Sequence, residues 1–192
     1  METTRNVEVG NILVTTGISP AMIGTDVLIQ VILLVTQVKD GKISGLVINR
    51  ESGKEVCNVL KNFPEFDAPI YIGGTIQTTT LFFLHTLANR VVGDKVVSEI
   101  HCGGDFEELK KTIAARELYT EQLRFFTGCC EWEKEELEKQ ISKRAWIILR
   151  FTTENAQEIE DVCFSEDSRL WSTLLEKYRP KHPIKDVPFV SN

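Results

Sequence analysis

The stretch Val27-Leu-Ile-Gln-Val-Ile-Leu-Leu-Val-Thr-Gln-Val38, then Lys39-Asp40-Gly41-Lys42, then Ile43-Ser-Gly-Leu-Val-Ile-Asn49 decides the architecture. Both flanking runs are rich in β-branched residues, and Asp-Gly between two such runs is the strongest short-range signal for a tight hairpin. The two runs therefore read as an antiparallel pair. Neither alternates apolar with polar residues, as a strand with one wet face would, so the sheet is expected to be covered on both sides or to curl toward a barrel. The longer run holds Gln30, Thr36 and Gln37 within 12 residues. A transmembrane helix needs roughly 20 apolar residues, so this segment reads as a buried strand and no membrane span is expected.

Ile12 to Thr15 adds a strand before the hairpin. Glu55 to Leu60 reads as a short helix stopped before Pro64, and Pro69 to Gly74 as a strand that breaks at its glycines. Leu81 to Thr86 and Lys95 to Cys102 are two further predicted strands, with a hydroxyl-rich loop around Thr75 and Gln77 before the first of them. Asp105 stands at an N-cap, Glu108 follows three residues later, and Phe106, Leu109 and Ile113 have helical spacing, which predicts a helix to about Ala115. Leu123 to Thr127 reads as a strand closed by Gly128, Glu131 to Arg144 as a helix with Leu137 and Ile141 on its apolar face, and Ala145 to Phe151 as the last strand. A final helix, about Asp167 to Tyr178, ends at Pro180. Strands outnumber helices and are mostly a hairpin's length apart, which predicts an α+β fold with a largely antiparallel sheet. Residues 1–179 read as one domain and 180–192 as a tail.

With 192 residues and a formal charge of −6 at pH 7, the chain lacks the basic field that nucleic-acid binding requires. Its basic cluster, Lys177, Arg179, Lys181, His182 and Lys185, lies toward the tail among acidic neighbours. Five cysteines, Cys57, Cys102, Cys129, Cys130 and Cys163, form no repeated spacing and hence no disulfide framework. The N-terminus carries Glu2 and Glu8 and no apolar core of signal-peptide length, so a cytoplasmic location is expected.

The residues able to carry chemistry are scattered. Gly103-Gly104-Asp105 has the local shape of a phosphate loop, but the Asp105 carboxylate would occupy the amides that a phosphate needs. Gly73 and Gly74 precede hydroxyl-bearing residues, where a small polar ligand could dock or a turn with positive φ could require glycine. His85 ends an aromatic strand; its ring suits proton transfer, or it donates to a carbonyl within the core. His85, His101 and His182 lack the spacing of a metal site. Cys129 and Cys130 lie just before the helix expected near Glu131, although the glutamates there oppose a thiolate. Arg50, beside Asn49 at a strand end, can bind a carboxylate or phosphate in two-point fashion. Trp132 and Trp146 read as core anchors. No catalytic set, metal site or cofactor is assigned.

Taken together, Gly45-Leu-Val-Ile-Asn-Arg50, Ile70-Tyr-Ile-Gly-Gly-Thr-Ile-Gln77 running into Leu81-Phe-Phe-Leu-His85, Phe125-Phe-Thr-Gly-Cys-Cys-Glu-Trp132 and Ala145-Trp146 resemble the YqgE/AlgH family of bacterial proteins. That family's motifs read approximately G-L-V-[IL]-N-R-P, then G-G-P-V with a later L-H, then G-Y-A-G-W and A-W. The resemblance implies a single α+β domain whose bent sheet forms a pseudo-barrel. Members are commonly labelled transcriptional regulators, with no common reaction. It also implies a shared surface at Asn49, Arg50, Gly73, Gly74, His85 and Trp132, together with Gly45 and Gly128. This chain departs from the pattern at Glu51, Thr75 and Cys129-Cys130-Glu131, and has Ile29 where the family has an arginine. The functional expectation is a non-enzymatic binding or regulatory protein with a protein or small-molecule partner. The alternatives are an enzyme or nucleotide-binding protein using His85 with a cysteine or backbone amides, and a direct DNA-binding regulator.

Overall fold

In the computed structural model, residues 2–4, 6–17, 30–151 and 155–178 are described. The start of the long apolar run, Ile29 and the tail lie outside them.

The decisive hairpin forms as read. Strand β3, Ile32–Lys39, turns into β4, Lys42–Val47, with Lys39 opposite Lys42. Asp40 and Gly41 have φ of 52° and 79°, the two left-handed residues of a type I′ turn. Before it come β1, Glu2–Thr4, and β2, Ile12–Thr15. After it come β5, Glu51–Glu55, helix α1, Val56–Val59, and β6, Pro69–Ile72. Then follow β7, Ile76–His85, β8, Asp94–Val97, β9, Ile100–Cys102, and α2, Phe106–Ala114. The chain continues with β10, Leu123–Glu133, α3, Lys134–Ser142, β11, Trp146–Arg150, α4, Ala156–Cys163, and α5, Leu170–Tyr178.

The 11 strands of the described residues join one open sheet in the order β1-β11-β2-β3-β4-β10-β7-β9-β8, with β6 also on β10 and β5 on β6. Every pairing is antiparallel except β6 with β10. Strand β10 is the spine. Its first half lies between β6 and β7, and its second half pairs with β4. The sheet bends there, because one core cluster draws Ile12 and Ile147 from one half and Leu84 and Ile100 from the other. Helices α4 and α5 fill this concave side with Ile159, Val162 and Leu174.

The absence of alternation in β3 is explained by burial on both faces. Ile32 and Leu34 face the concave cluster, whereas Leu33 and Val35 join a second cluster capped by Leu137 of α3. A third cluster covers the outer face of the other half, where Phe83, Leu123 and Phe125 meet Leu109 and Ile113 of α2. The Asp105 carboxylate accepts from the amides of Glu107 and Glu108, the N-cap expected for α2.

Four boundaries differ from the sequence reading. Lys95 to Cys102 is two strands, since Ser98 takes φ of 51° and turns the chain into a hairpin. Strand β7 begins at Ile76, with Gln77–Thr80 bulging out opposite Gly128 between the pairs Ile76–Cys129 and Leu81–Thr127. Strand β10 runs through Gly128, whose φ of 70° makes a bulge rather than an end. Helix α3 consequently starts at Lys134 instead of Glu131. Strands β1 and β5 and helix α4 are additions.

Candidate functional site

Asn49 and Arg50, at the end of β4, line a concavity of about 410 Å3 with Gln30, Val31 and residues of the α5 entry. Asn49 positions this rim. Its Nδ2 donates to the Gln30 carbonyl at 2.9 Å, and its Oδ1 accepts from the Ile32 amide at 2.9 Å. The side chain thus replaces ladder bonds at the entrance of β3, where Gln30 adopts φ of 56°. The Arg50 carbonyl accepts from the Ile72 amide at 2.7 Å, tying the same corner to β6. On the opposite wall Trp171 donates to both Thr15 oxygens at 2.9 Å, fixing α5 to β2. Ser168, Ser172 and Arg169 complete the wall. Arg169 Nε lies 3.6 Å from Asp167 Oδ1, with the side chain 84% exposed. Arg50 and Arg169 thus border one cavity with Ser168, Trp171 and Ser172, whose hydroxyl donates to the Arg169 carbonyl at 2.8 Å. Chemically this cavity suits a carboxylate or another anion.

The other residues singled out in the sequence lie elsewhere. Gly73 and Gly74 are buried against β10: a Cβ would stand 2.3 Å from the Gly128 carbonyl oxygen at Gly73, and 2.1 Å from the Cys129 carbonyl carbon and oxygen at Gly74. Close backbone approach, not positive φ, requires these glycines. Trp132 is 7% exposed and meets Trp146 edge to face at a centroid distance of 6.0 Å. It fills the outer core and contributes no surface.

His85 is fully buried. Its Nε2 donates to the Gly103 carbonyl at 3.0 Å, and its Nδ1 accepts from the Leu87 amide at 3.1 Å, so the neutral tautomer is dictated by its partners. Its ring stacks on His101 at 5.7 Å. Burial is the main reason its pKa falls below the usual histidine value, with the neighbouring His101 acting the same way and the Gly103 bond opposing. Because the folded form holds a proton less readily than the unfolded chain, this group stabilises the fold above about pH 6.5 and loses that contribution as pH falls through its lowered pKa. The urea midpoint is expected to drop on going from pH 7.5 to 5, and His85→Gln should remove part of the drop. An unchanged pH profile in that variant rejects the assignment.

Cys129 and Cys130 belong to β10, three or more residues before α3, so no helix terminus activates them. Burial pushes the Cys130 thiol up to about 12 and also raises that of Cys129, on which Glu131 acts in the same direction. Among the described residues, Glu55, Cys57 and Asp67 bring one thiol and two carboxylates within 4.8 Å of one another, all exposed.

Sequence reasoning missed Arg169, the two serines and, above all, Arg124. Arg124, the second residue of β10, is 6% exposed. Its Nη1 donates to the carbonyls of Ile48 at 3.1 Å and Cys163 at 3.0 Å, and its Nη2 to that of Ser165 at 3.1 Å. The guanidinium lies 4.2 Å from the Tyr71 ring centroid. Parity was the available signal: Leu123 and Phe125 face outward, so Arg124 shares the inner side with Phe126.

Comparison with known proteins decides the family. The DUF179 (AlgH-like) family model matches residues 18–182. The chain belongs to the AlgH-like family. A UPF0301 protein of Bacteroides thetaiotaomicron is 32% identical over 154 residues, covering 80% of this chain and 75% of the relative. One from Chlorobaculum parvum is 29% identical, covering 74% of each. The AlgH-like fold also matches a crystal structure of a Corynebacterium diphtheriae protein, with a TM-score of 0.62 at 16% identity over 95% of this chain and 91% of that one. The solution structure of AlgH from Pseudomonas aeruginosa has a TM-score of 0.56 at 21% identity, over 90% of this chain and 97% of that one. No helix among the described residues is long and apolar enough to cross a membrane.

Proposed function

We propose that this AlgH-like chain is a cytoplasmic, non-catalytic binding module that acts through an acidic group of a protein or small-molecule partner held at the Asn49–Arg50 corner. Any effect on transcription is then indirect. The observation that carries the reading is the convergence of Arg50 and Arg169 with Ser168 and Ser172 around one concavity, in a chain whose net charge is −6. A positive site on a negative molecule selects an anionic group and leaves the rest of the surface unsuited to a nucleic-acid backbone. Hydrogen bonds to charged groups are worth about 1.5–3 kcal/mol each, so loss of both arginines should weaken binding at least tenfold.

The test uses the full chain as bait, alongside the double variant Arg50→Glu, Arg169→Glu. Specific partners should be captured by the parent and lost by the variant, and neither protein should be retained on duplex DNA at low ionic strength. Equal capture by both, or salt-sensitive retention on DNA, overturns the reading.

A further inference from the structure

Arg124 borders a second cavity, of about 280 Å3. Buried charges are ordinarily paired, yet among the described residues no carboxylate oxygen comes within the 4.0 Å ion-pair distance of this guanidinium. Three backbone carbonyls and an aromatic face share its charge without neutralising it. A guanidinium has five N–H donors, and three are used. The Nε–H and the second Nη2–H have no acceptor among the described residues.

The remaining lining sets the class of ligand. Glu121 and Glu166 also border the cavity, and both are exposed carboxylates. A phosphate or a dicarboxylate drawn to Arg124 would meet them at close quarters and be repelled. A zwitterion meets both signs favourably. The apolar part of the lining is Pro69 with the rings of Tyr71 and Phe164, which flank the guanidinium. The volume lies just below the roughly 300 Å3 at which ligand cavities ordinarily begin, which limits an occupant to one small molecule.

The geometry points to a binding site for a single apolar α-amino acid, its carboxylate on Arg124, its ammonium on Glu166 and Glu121, and its side chain against Pro69 and the rings of Tyr71 and Phe164. This site is separate from the Asn49–Arg50 corner, because it opens between β6, β10 and the segment after α4 while the other opens between β4 and α5.

The experiment is a thermal-shift and calorimetric titration of the full chain with L-leucine and L-phenylalanine. Leucinamide, N-acetyl-leucine and inorganic phosphate serve as comparison probes. At least one of the two amino acids should raise Tm saturably, with each comparison probe bound at least tenfold more weakly. Glu166→Gln, an exposed change that leaves the Arg124 bonds intact, should weaken amino-acid binding at least fivefold. The Arg50→Glu, Arg169→Glu protein should bind as the parent does, which separates failure here from failure at the other corner. No saturable shift with either amino acid, binding of N-acetyl-leucine or phosphate equal to that of the amino acid, or full affinity in Glu166→Gln overturns the proposal.

Discussion

Gly74→Ala should cost on the order of 3 kcal/mol or more, a large part of the 5–15 kcal/mol that holds a typical domain together. The new methyl would lie 2.1 Å from the Cys129 carbonyl carbon and oxygen and 2.4 Å from the Cys130 amide nitrogen, all backbone atoms that cannot rotate away. Relief requires β6 and β10 to separate where the Gly73 amide bonds the Thr127 carbonyl at 2.9 Å and the Gly73 carbonyl accepts from Val47 at 2.8 Å. Those bonds join β4, β6 and β10 at the bend of the sheet. Gly53→Ala is the control. Gly53 has φ of 71° with nothing within 4 Å of the added carbon, so only the left-handed backbone penalty of about 1–2 kcal/mol applies. Urea unfolding of the two variants measures the difference, and equal losses would show that backbone approach at Gly74 is not the constraint.

Arg124→Met should likewise lower stability by about 3 kcal/mol or more. Replacing a buried charged group with an apolar one can be neutral when its partners are replaced as well. Here the partners stay: the carbonyls of Ile48, Cys163 and Ser165 lose their donors, and each unsatisfied buried group costs about 1–3 kcal/mol. Cys163 ends α4, so the cation also complements the negative end of that helix. Hydrogen exchange should therefore accelerate in α4 before it does in β2 or β3. Arg124→Lys should recover only part of the loss, because a single ammonium cannot span three carbonyls as a planar fork does. A methionine variant with the parent's urea midpoint would mean that those carbonyls are served by water.

The particular errors in reading boundaries have one origin. Gly128 looked like the end of a strand and is a bulge inside the longest one, because a positive φ permits both and only the partners of Thr127 and Cys129 distinguish them. Moving that boundary moved the start of α3, which removed Cys129 and Cys130 from a helix terminus and placed them in the core. Ser98 hid a turn within Lys95 to Cys102 for a similar reason: a non-glycine residue with φ of 51° has no strong sequence signature. The candidate site was half legible. The side chain of Asn49 has an evident use at a strand end, and the charge of Arg50 is plain, but Arg169 and Ser172 reach the same cavity from more than a hundred residues away.

Local chemistry was enough for the Asp40-Gly41 hairpin, the Asp105 cap and the double-sided burial of β3, since each rests on neighbours within a few positions. It was enough for the family as well, through ordered motifs. Which residues share a cavity, why Gly73 and Gly74 bear no side chain, and how a buried arginine came to rest on three backbone carbonyls depend on β10 bending between two half-sheets. That bend brings together segments distant in the chain, and no periodicity along one strand encodes the distance between two of them.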